Sequence, residues 1–267
     1  MASWSDWTRS KGMSPLAHAR IVMWDGGSLW AIDAVATPDR AHTEPHSHHA
    51  IQISFSIGGQ MRFRAGDLVV ESDAIAVAPD ALHVFEANGL VAHLFIDPDS
   101  RDGRTIARAL LPDAVLAPVQ SERLKGFAES ILANFRAQPR ANAELTALGR
   151  AMIIHLVGGT VGDAPDLRVR KLMAAAAAKL DQSISLSDFA GIGGLSSSRL
   201  RHLFVEHTGL QFRTYLLWLR LSRALECVAA GDSLAASAHE AGFSDSAHFS
   251  RTFKRMFGVS PTDLRIS

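Results

Sequence analysis

SLAASAHEAGFSDSAHFSRTFKRMFG, residues 233–258, is the stretch that decides the fold. Phe249, Phe253, Met256 and Phe257 recur at the spacing that lines up one face of a helix. Ser233 and Ser244 precede the helical runs Leu234–Ala241 and Asp245–Phe257, where a hydroxyl can accept from an unpaired backbone N–H. Between the runs, Gly242 permits the left-handed turn that redirects the chain, and the small Ala238 lets the second helix cross the first closely. The same grammar occurs once before. Leu186, Ala190 and Gly194 precede Leu234, Ala238 and Gly242 by 48 residues, and Phe204 and Gly209 precede Phe253 and Gly258 by 49. The pattern is a helix-turn-helix, present twice.

The faces left outside carry the chemistry. In the first copy the helix Ser197–His207 buries Leu200, Leu203 and Phe204 and turns Ser198, Arg199, Arg201 and His202 outward. In the second, Ser246, Ala247, His248, Arg251, Lys254 and Arg255 lie outward or on the flanks. Arginine near a helix N-terminus can reach guanine O6 and N7, and serine and histidine offer smaller contacts to bases or phosphates. A solvated polar face is the plain alternative for one such helix. Two copies joined by a single long helix, Phe212–Ala230, favour two reading heads about one DNA turn apart, roughly 34 Å.

Upstream, Arg168–Leu180 is an alanine-rich helix, and Ser185 and Ser196 precede Leu186–Ile192 and Ser197–His207. Gly158–Pro165 is the clearest linker. It separates a C-terminal domain, residues 167–267, from an N-terminal domain, residues 1–158, with 159–166 between them. Segments 104–111, 121–137 and 141–157 have helical spacing, the last two forming a hairpin about a Pro139 connection. They pack on the β-domain or on a second copy of the chain. Short strand-like runs precede them: Leu29–Ala36, His49–Ile57, Met61–Arg64, Leu68–Glu71, Ala74–Ala78, His83–Glu86 and Val91–Ile96. Gly58-Gly59 and Gly66-Asp67 read as turns. Close-set short strands predict a sandwich or small barrel. The fold class is therefore two-domain α+β.

Composition closes off other classes. Apolar residues at 47% and charged residues at 20% exclude a wholly disordered chain. No apolar run nears the roughly 18 residues of a membrane span. The polar start, Met1 to Arg20, reads as no secretion signal. The single Cys227 excludes an internal disulfide framework and fits a reducing cytoplasm. The zero net charge hides an asymmetry: residues 1–165 hold 14 basic and 18 acidic side chains, residues 166–267 hold 13 and 9. A basic C-terminal half suits a polyanionic partner, although a split of this size also arises by scatter.

Residues 241–261 closely resemble the C-terminal signature of AraC/XylS-type transcription regulators. Leu195-Ser196-Ser197-Ser198-Arg199-Leu200, with Phe204 and Gly209, resembles their first helix-turn-helix, and Leu219-Arg220-Leu221 with Ala224 their connecting helix. The resemblance covers about residues 170–265. It implies a bacterial, cytoplasmic DNA-binding regulator whose base-facing positions are Ser198, Arg201 and His202, then Ser246, Ala247, His248 and Arg251. Gly191, Gly193 and Gly194 make the first turn unusually glycine-rich, and Ser198 and Ala247 are small for such positions.

More weakly, Pro45-His46-Ser47-His48-His49, Gln52, Gly58-Gly59, Pro79 and His83 resemble a cupin-like sensor barrel. Residues of equal parity on a strand share a face, so His46, His48 and Gln52 can converge. With His83 they offer three imidazoles and one oxygen, a set suited to a divalent metal. Gln52 stands where such sites usually carry an acid. Ile51, Ile53, Phe55 and Ile57 form the opposite face. Either the polar face lines a pocket and the apolar face packs on helices, or the apolar face fills the barrel and the histidines meet water. A metal-free pocket for an organic effector is the favoured reading over a bound metal, with Trp24, Trp30, Phe63, Phe85 and Phe95 as walls and Arg62, Arg64 and His93 as anchors. Those aromatics can also be plain core.

The expectation is an effector-controlled regulator of double-stranded DNA, self-associating as a homodimer through residues 121–157 and contacting RNA polymerase if it activates. The contrasting reading is a metal-dependent cupin enzyme, a dioxygenase or isomerase, fused to a helical domain.

Overall fold

The computed structural model describes residues 16–33, 41–43, 45–57, 61–87, 89–120, 122, 124–136, 142–158, 166–182, 184–189, 191, 194–258 and 260–266. The N-terminal half holds two sheets. Strands β1 (Leu16–Trp24), β2 (Gly27–Asp33), β4 (Ile51–Ile57), β7 (Ala74–Val77), β9 (Leu90–Ile96), β10 (Leu116–Pro118) and β11 (Leu264–Ile266) form a seven-stranded sheet in the order β10-β7-β4-β9-β2-β1-β11. Strands β3 (Ala41–His42), β5 (Met61–Ala65), β6 (Leu68–Glu71) and β8 (Val84–Ala87) form a second, in the order β3-β8-β5-β6. The turn at Gly66 is present, with φ 59°. Gly58-Gly59 lies outside the described residues. The sequence misses β1, β3, β10 and β11, short or partly polar runs whose strand state depends on their partners.

Parity decides what each face of the large sheet meets. Leu29, Ala31, Ile51, Ile53, Phe55, Ala92 and Leu94 pack against α1 (Arg101–Leu110), α2 (Lys125–Arg136) and α3 (Asn142–Val157). Ile131, Leu145, Met152, Ile153 and Leu156 supply the helical side of that core. The α2–α3 pair therefore spends its apolar stripe on the β-domain. Arg20 on β1 pins it there, donating to the Asn134 carbonyl at 2.6 Å and to Asn142 Oδ1 at 3.1 Å. On the other face, Ile75, Val77 and Val91 meet Met61 and Phe63 of the small sheet. Trp30, Ile32 and Phe95, also on that face, meet the C-terminal domain instead.

The C-terminal half consists of α4 (Leu167–Ala177), a 3-10 turn at Leu186–Phe189, α5 (Ser197–Thr208), α6 (Phe212–Ala229), α7 (Leu234–Glu240) and α8 (Ser246–Phe257). The linker positions 159–165 lie outside the described residues. Asp166 already belongs to the domain, capping α4 by accepting from the Arg168 N–H at 2.7 Å. Two expectations are corrected. The run Leu186–Ile192 is a 3-10 turn over Leu186–Phe189, where Ser185 and Asp188 bond each other and Gly191 follows at φ 101°. The α8 cap is Asp245, whose Oδ1 accepts from the His248 N–H at 2.6 Å. Ser244 precedes the cap, its hydroxyl turned to the Asp245 carboxylate and the His248 ring. A carboxylate is the stronger acceptor at a positive helix end. Ser196 and Ser233 cap α5 and α7 as expected.

The two halves share a core. Trp30 stacks on Phe253 at 5.7 Å between ring centroids and lies 5.0 Å from Phe257, while Phe95 meets Phe257 edge-on at 5.2 Å. Backbone pairing joins them as well: β11, beyond the last helix, runs parallel to β1 at the edge of the N-terminal sheet.

Candidate nucleic-acid interface and histidine cluster

The helix-turn-helix units present what their periodicity requires. On α5, Leu200 and Phe204 are fully buried while Ser198, Arg199, Arg201 and His202 are exposed. On α8, Phe249, Phe253, Met256 and Phe257 are buried, and Ala247 and Arg251 are exposed. Ser246 and His248 are half-buried. His248 is partly spoken for, with Nδ1 3.1 Å from the Ser244 hydroxyl and the ring edge-on to Phe243. Both α5 and α8 end on a glycine in the left-handed region, Gly209 at φ 74° and Gly258 at φ 79°. Eighteen residues of α6 join the units, a length of about 27 Å. The surfaces around Arg201 and Arg251 stay open with the two halves packed together.

Inside the β-domain the polar face of β4 lines the interior and the apolar face meets the helices, the first of the two alternatives. His48, Gln52, Ser54, His83 and His93 are all buried, and His46 is half-buried. The three sequence-predicted histidines come together: one ring nitrogen from each of His46, His48 and His83 lies within 4.8 Å of the others. Strand parity is only part of the reason, because β4 begins at Ile51. His46 arrives through an isolated antiparallel bridge to His83, whose two backbone bonds measure 3.0 and 2.9 Å. That bridge leaves the two rings 4.4 Å apart.

The tautomers follow from the backbone. His48 Nδ1–H donates to the Ala50 carbonyl at 2.9 Å and His83 Nδ1–H to the Ala81 carbonyl at 2.8 Å. Each ring therefore turns a bare Nε2 toward the interior. The Gln52 amide meets His48 Nε2 at 2.7 Å, and its other end meets Ser54 Oγ at 2.7 Å and His93 Nδ1 at 3.0 Å. Gln52 Oε1 faces His48 Nε2 and Gln52 Nε2 faces Ser54 and His93; turning the amide over, so that its nitrogen donates to His48 Nε2 and its oxygen accepts from Ser54 and His93, makes every contact of a neutral network complementary. Among the described residues, His83 Nε2 is buried with no hydrogen-bond partner. Burial, followed by repulsion among neighbouring imidazoles, holds His83 and His93 down at about 3. Burial likewise brings His48 to about 4. All three are neutral at neutral pH and have lone pairs to offer.

Other anticipated pocket residues go elsewhere. Trp30 is committed to α8, and Trp24 sits under α3, where a Cβ on Gly149 would overlap its ring. Arg62 pairs with the buried Glu86 at 2.6 Å and with Glu71 at 3.5 Å. Phe63 and Phe85 do stay beside His83 and His93, at 5.7 and 4.9 Å. Ser54 was missed, although its parity with Gln52 could have found it. No helix among the described residues is long and apolar enough to cross a membrane.

Residues 189–266 match a family described as a helix-turn-helix domain. The uncharacterised HTH-type transcriptional regulator YidL of Escherichia coli K12 is 38% identical over 96 residues, 36% of this chain and 32% of that protein. The HTH-type transcriptional activator RhaS of Enterobacter sp. strain 638 is 30% identical over 172 residues, 63% of this chain. The chain thus spans 60% of RhaS and 32% of YidL. Among solved structures, ToxT of Vibrio cholerae O395 is 13% identical with TM-score 0.45, covering 92% of this chain and 95% of that one. An AraC-type regulator from Chromobacterium violaceum is 28% identical with TM-score 0.34, covering 36% and 87%. Residues 189–266 are thus a helix-turn-helix domain.

Proposed function

We propose that the protein is a DNA-binding transcription regulator whose N-terminal domain responds to a small ligand. One observation carries the reading. Two helix-turn-helix units, each burying an apolar stripe and exposing arginine on the outer side of its second helix, are held apart by one continuous helix. Such a unit inserts its second helix into a major groove, and the spacing suits two successive turns of one duplex face. Ser198, Arg201 and His202 of α5 and Ser246, Ala247, His248 and Arg251 of α8 are the base-reading positions. The relatives named above are regulators, and the enzyme reading finds no support among them. The ligand enters at the cluster of His46, His48, Gln52 and His83, and acts by favouring one arrangement of the two halves over another.

The protein works in the bacterial cytoplasm, pairs as a homodimer, and contacts RNA polymerase where it activates. The outer side of the α2–α3 pair suits the dimer: a groove of about 680 Å³ there is lined by Ala133, Ala147, Leu148 and Ala151 with Ser130 and Glu144. DNase footprinting of the promoter beside the coding region tests the regulator reading. The expected result is a protected site spanning two successive major grooves, and no protection at any salt rejects it. Sedimentation at micromolar concentration tests the dimer, and a monomer there rejects it.

A further inference from the structure

The ligand cluster lies directly beneath the second recognition helix. The amide of His49 donates to the Arg255 carbonyl in the last turn of α8 at 3.0 Å. His46 abuts Gly258, the left-handed cap of that helix: a Cβ at Gly258 would stand 2.9 Å from His46 Nε2 and nearer still to Cδ2. His48 packs edge-on against Phe95 at 5.4 Å, and Phe95 in turn against Phe257 at 5.2 Å. The 46–49 segment thus carries two of the clustered imidazoles and touches the end of α8 through the His46 ring and the His49 amide. We infer that His46, His48 and His83 form a site for a divalent transition-metal ion, and that filling it clamps the 46–49 segment and α8 together, fixing the second DNA-reading unit to the β-domain.

The chemistry of the donor set selects the ion. Three imidazoles and no carboxylate suit zinc or its first-row neighbours, whereas calcium and magnesium require oxygen ligands. The orphaned Nε2 of His83 is the strongest sign, since a buried acceptor without a partner is costly and uncommon. The backbone carbonyls of Ala50 and Ala81, by taking the Nδ1 protons, do what outer-shell partners do for metal-bound histidines: they set the tautomer and orient the ring. Gln52 holds His48 Nε2 in the meantime, and the ion exchanges that hydrogen bond for a coordination bond. Coupling is reciprocal. If docked α8 brings His46 into ligating reach, the ion must stabilise docked α8 by the same factor.

The clamp deepens the regulator reading by naming the ligand class, and its test needs no DNA. Untagged, chelator-stripped full-length protein is titrated with Co²⁺ followed by absorption, then with Zn²⁺ by calorimetry, and hydrogen exchange is compared with and without zinc. One equivalent binding, with slower exchange at the His49 amide and in the β1–β11 pairing, is the expected result. His83→Ala weakens binding by at least the roughly 10–100-fold that loss of an outer-shell partner costs. His46→Ala, at the half-buried ligand, does the same in a chain whose circular dichroism is unchanged. Absence of stoichiometric binding, or full affinity in a folded His46→Ala protein, overturns the site. Binding that leaves exchange at α8 and β11 unaltered overturns the clamp. A footprint by the stripped protein stands or falls separately, so failure of the metal is distinct from failure of the regulator.

Discussion

The indole N–H of Trp218, in the middle of α6, donates to the carboxylate of Asp97 across 2.8 Å, joining residues 121 apart in sequence. Both side chains are buried, and Asp97 also accepts from the Asp99 amide at 2.9 Å. The helix that joins the two helix-turn-helix units is thereby bonded to the end of β9 in the β-domain.

Trp218→Phe keeps the aromatic bulk and removes the donor. The buried Asp97 carboxylate then loses a partner, at a cost of about 1–3 kcal/mol. Chemical denaturation should show the loss. Hydrogen exchange should show faster opening where α6 meets β1. An unchanged denaturation midpoint would mean that the bond contributes nothing net.

Gly258→Ala meets two obstacles. The residue sits at φ 79°, and its Cβ would overlap the His46 ring. The left-handed conformation alone costs roughly 1–2 kcal/mol for a residue with a Cβ. The variant should melt lower than wild type. Gly66→Ala, at φ 59° with nothing near its Cβ, provides the comparison and should lose less.

Asp245→Ala removes the α8 cap, and Ser244→Ala leaves the main bond of that cap in place. The aspartate variant should therefore lower the melting temperature more than the serine variant. The backbone N–H of His248 holds the Asp245 carboxyl below the usual carboxylate range. A depressed group stabilises fully above its unfolded value, about 3.9, and that stability goes as pH falls through the lower folded value. The two variants should accordingly converge in acid, which melting curves across pH would check.

Arg201→Ala and Arg251→Ala change exposed side chains and should leave the fold intact. If each pairs with a guanine, each costs about 1–3 kcal/mol of specific binding and relaxes one position of the site. Salt-controlled gel shifts on wild-type and substituted sites measure both effects. Equal loss on all sequences would make these arginines phosphate contacts instead.

The tandem helix-turn-helix was legible because its signal is local: three- and four-residue spacing, small residues at a crossing, and glycines where the left-handed turns fall. Most strands of the N-terminal half were legible for the same kind of reason. The histidine cluster was half legible. His48 does meet Gln52 as their spacing suggests, although it lies just before β4, and the arrival of His46 needed its bridge to His83.

Sequence alone determined which faces are apolar and which residues turn outward, since periodicity is a property of the chain itself. Which partner each face found was decided only in three dimensions. Trp30 and Phe95 read as possible pocket walls and became the seam with α8. The last few residues, unremarkable as a run, became a strand on the far domain. Burial is a relation between segments distant along the chain, and no local pattern encodes the second member of the pair.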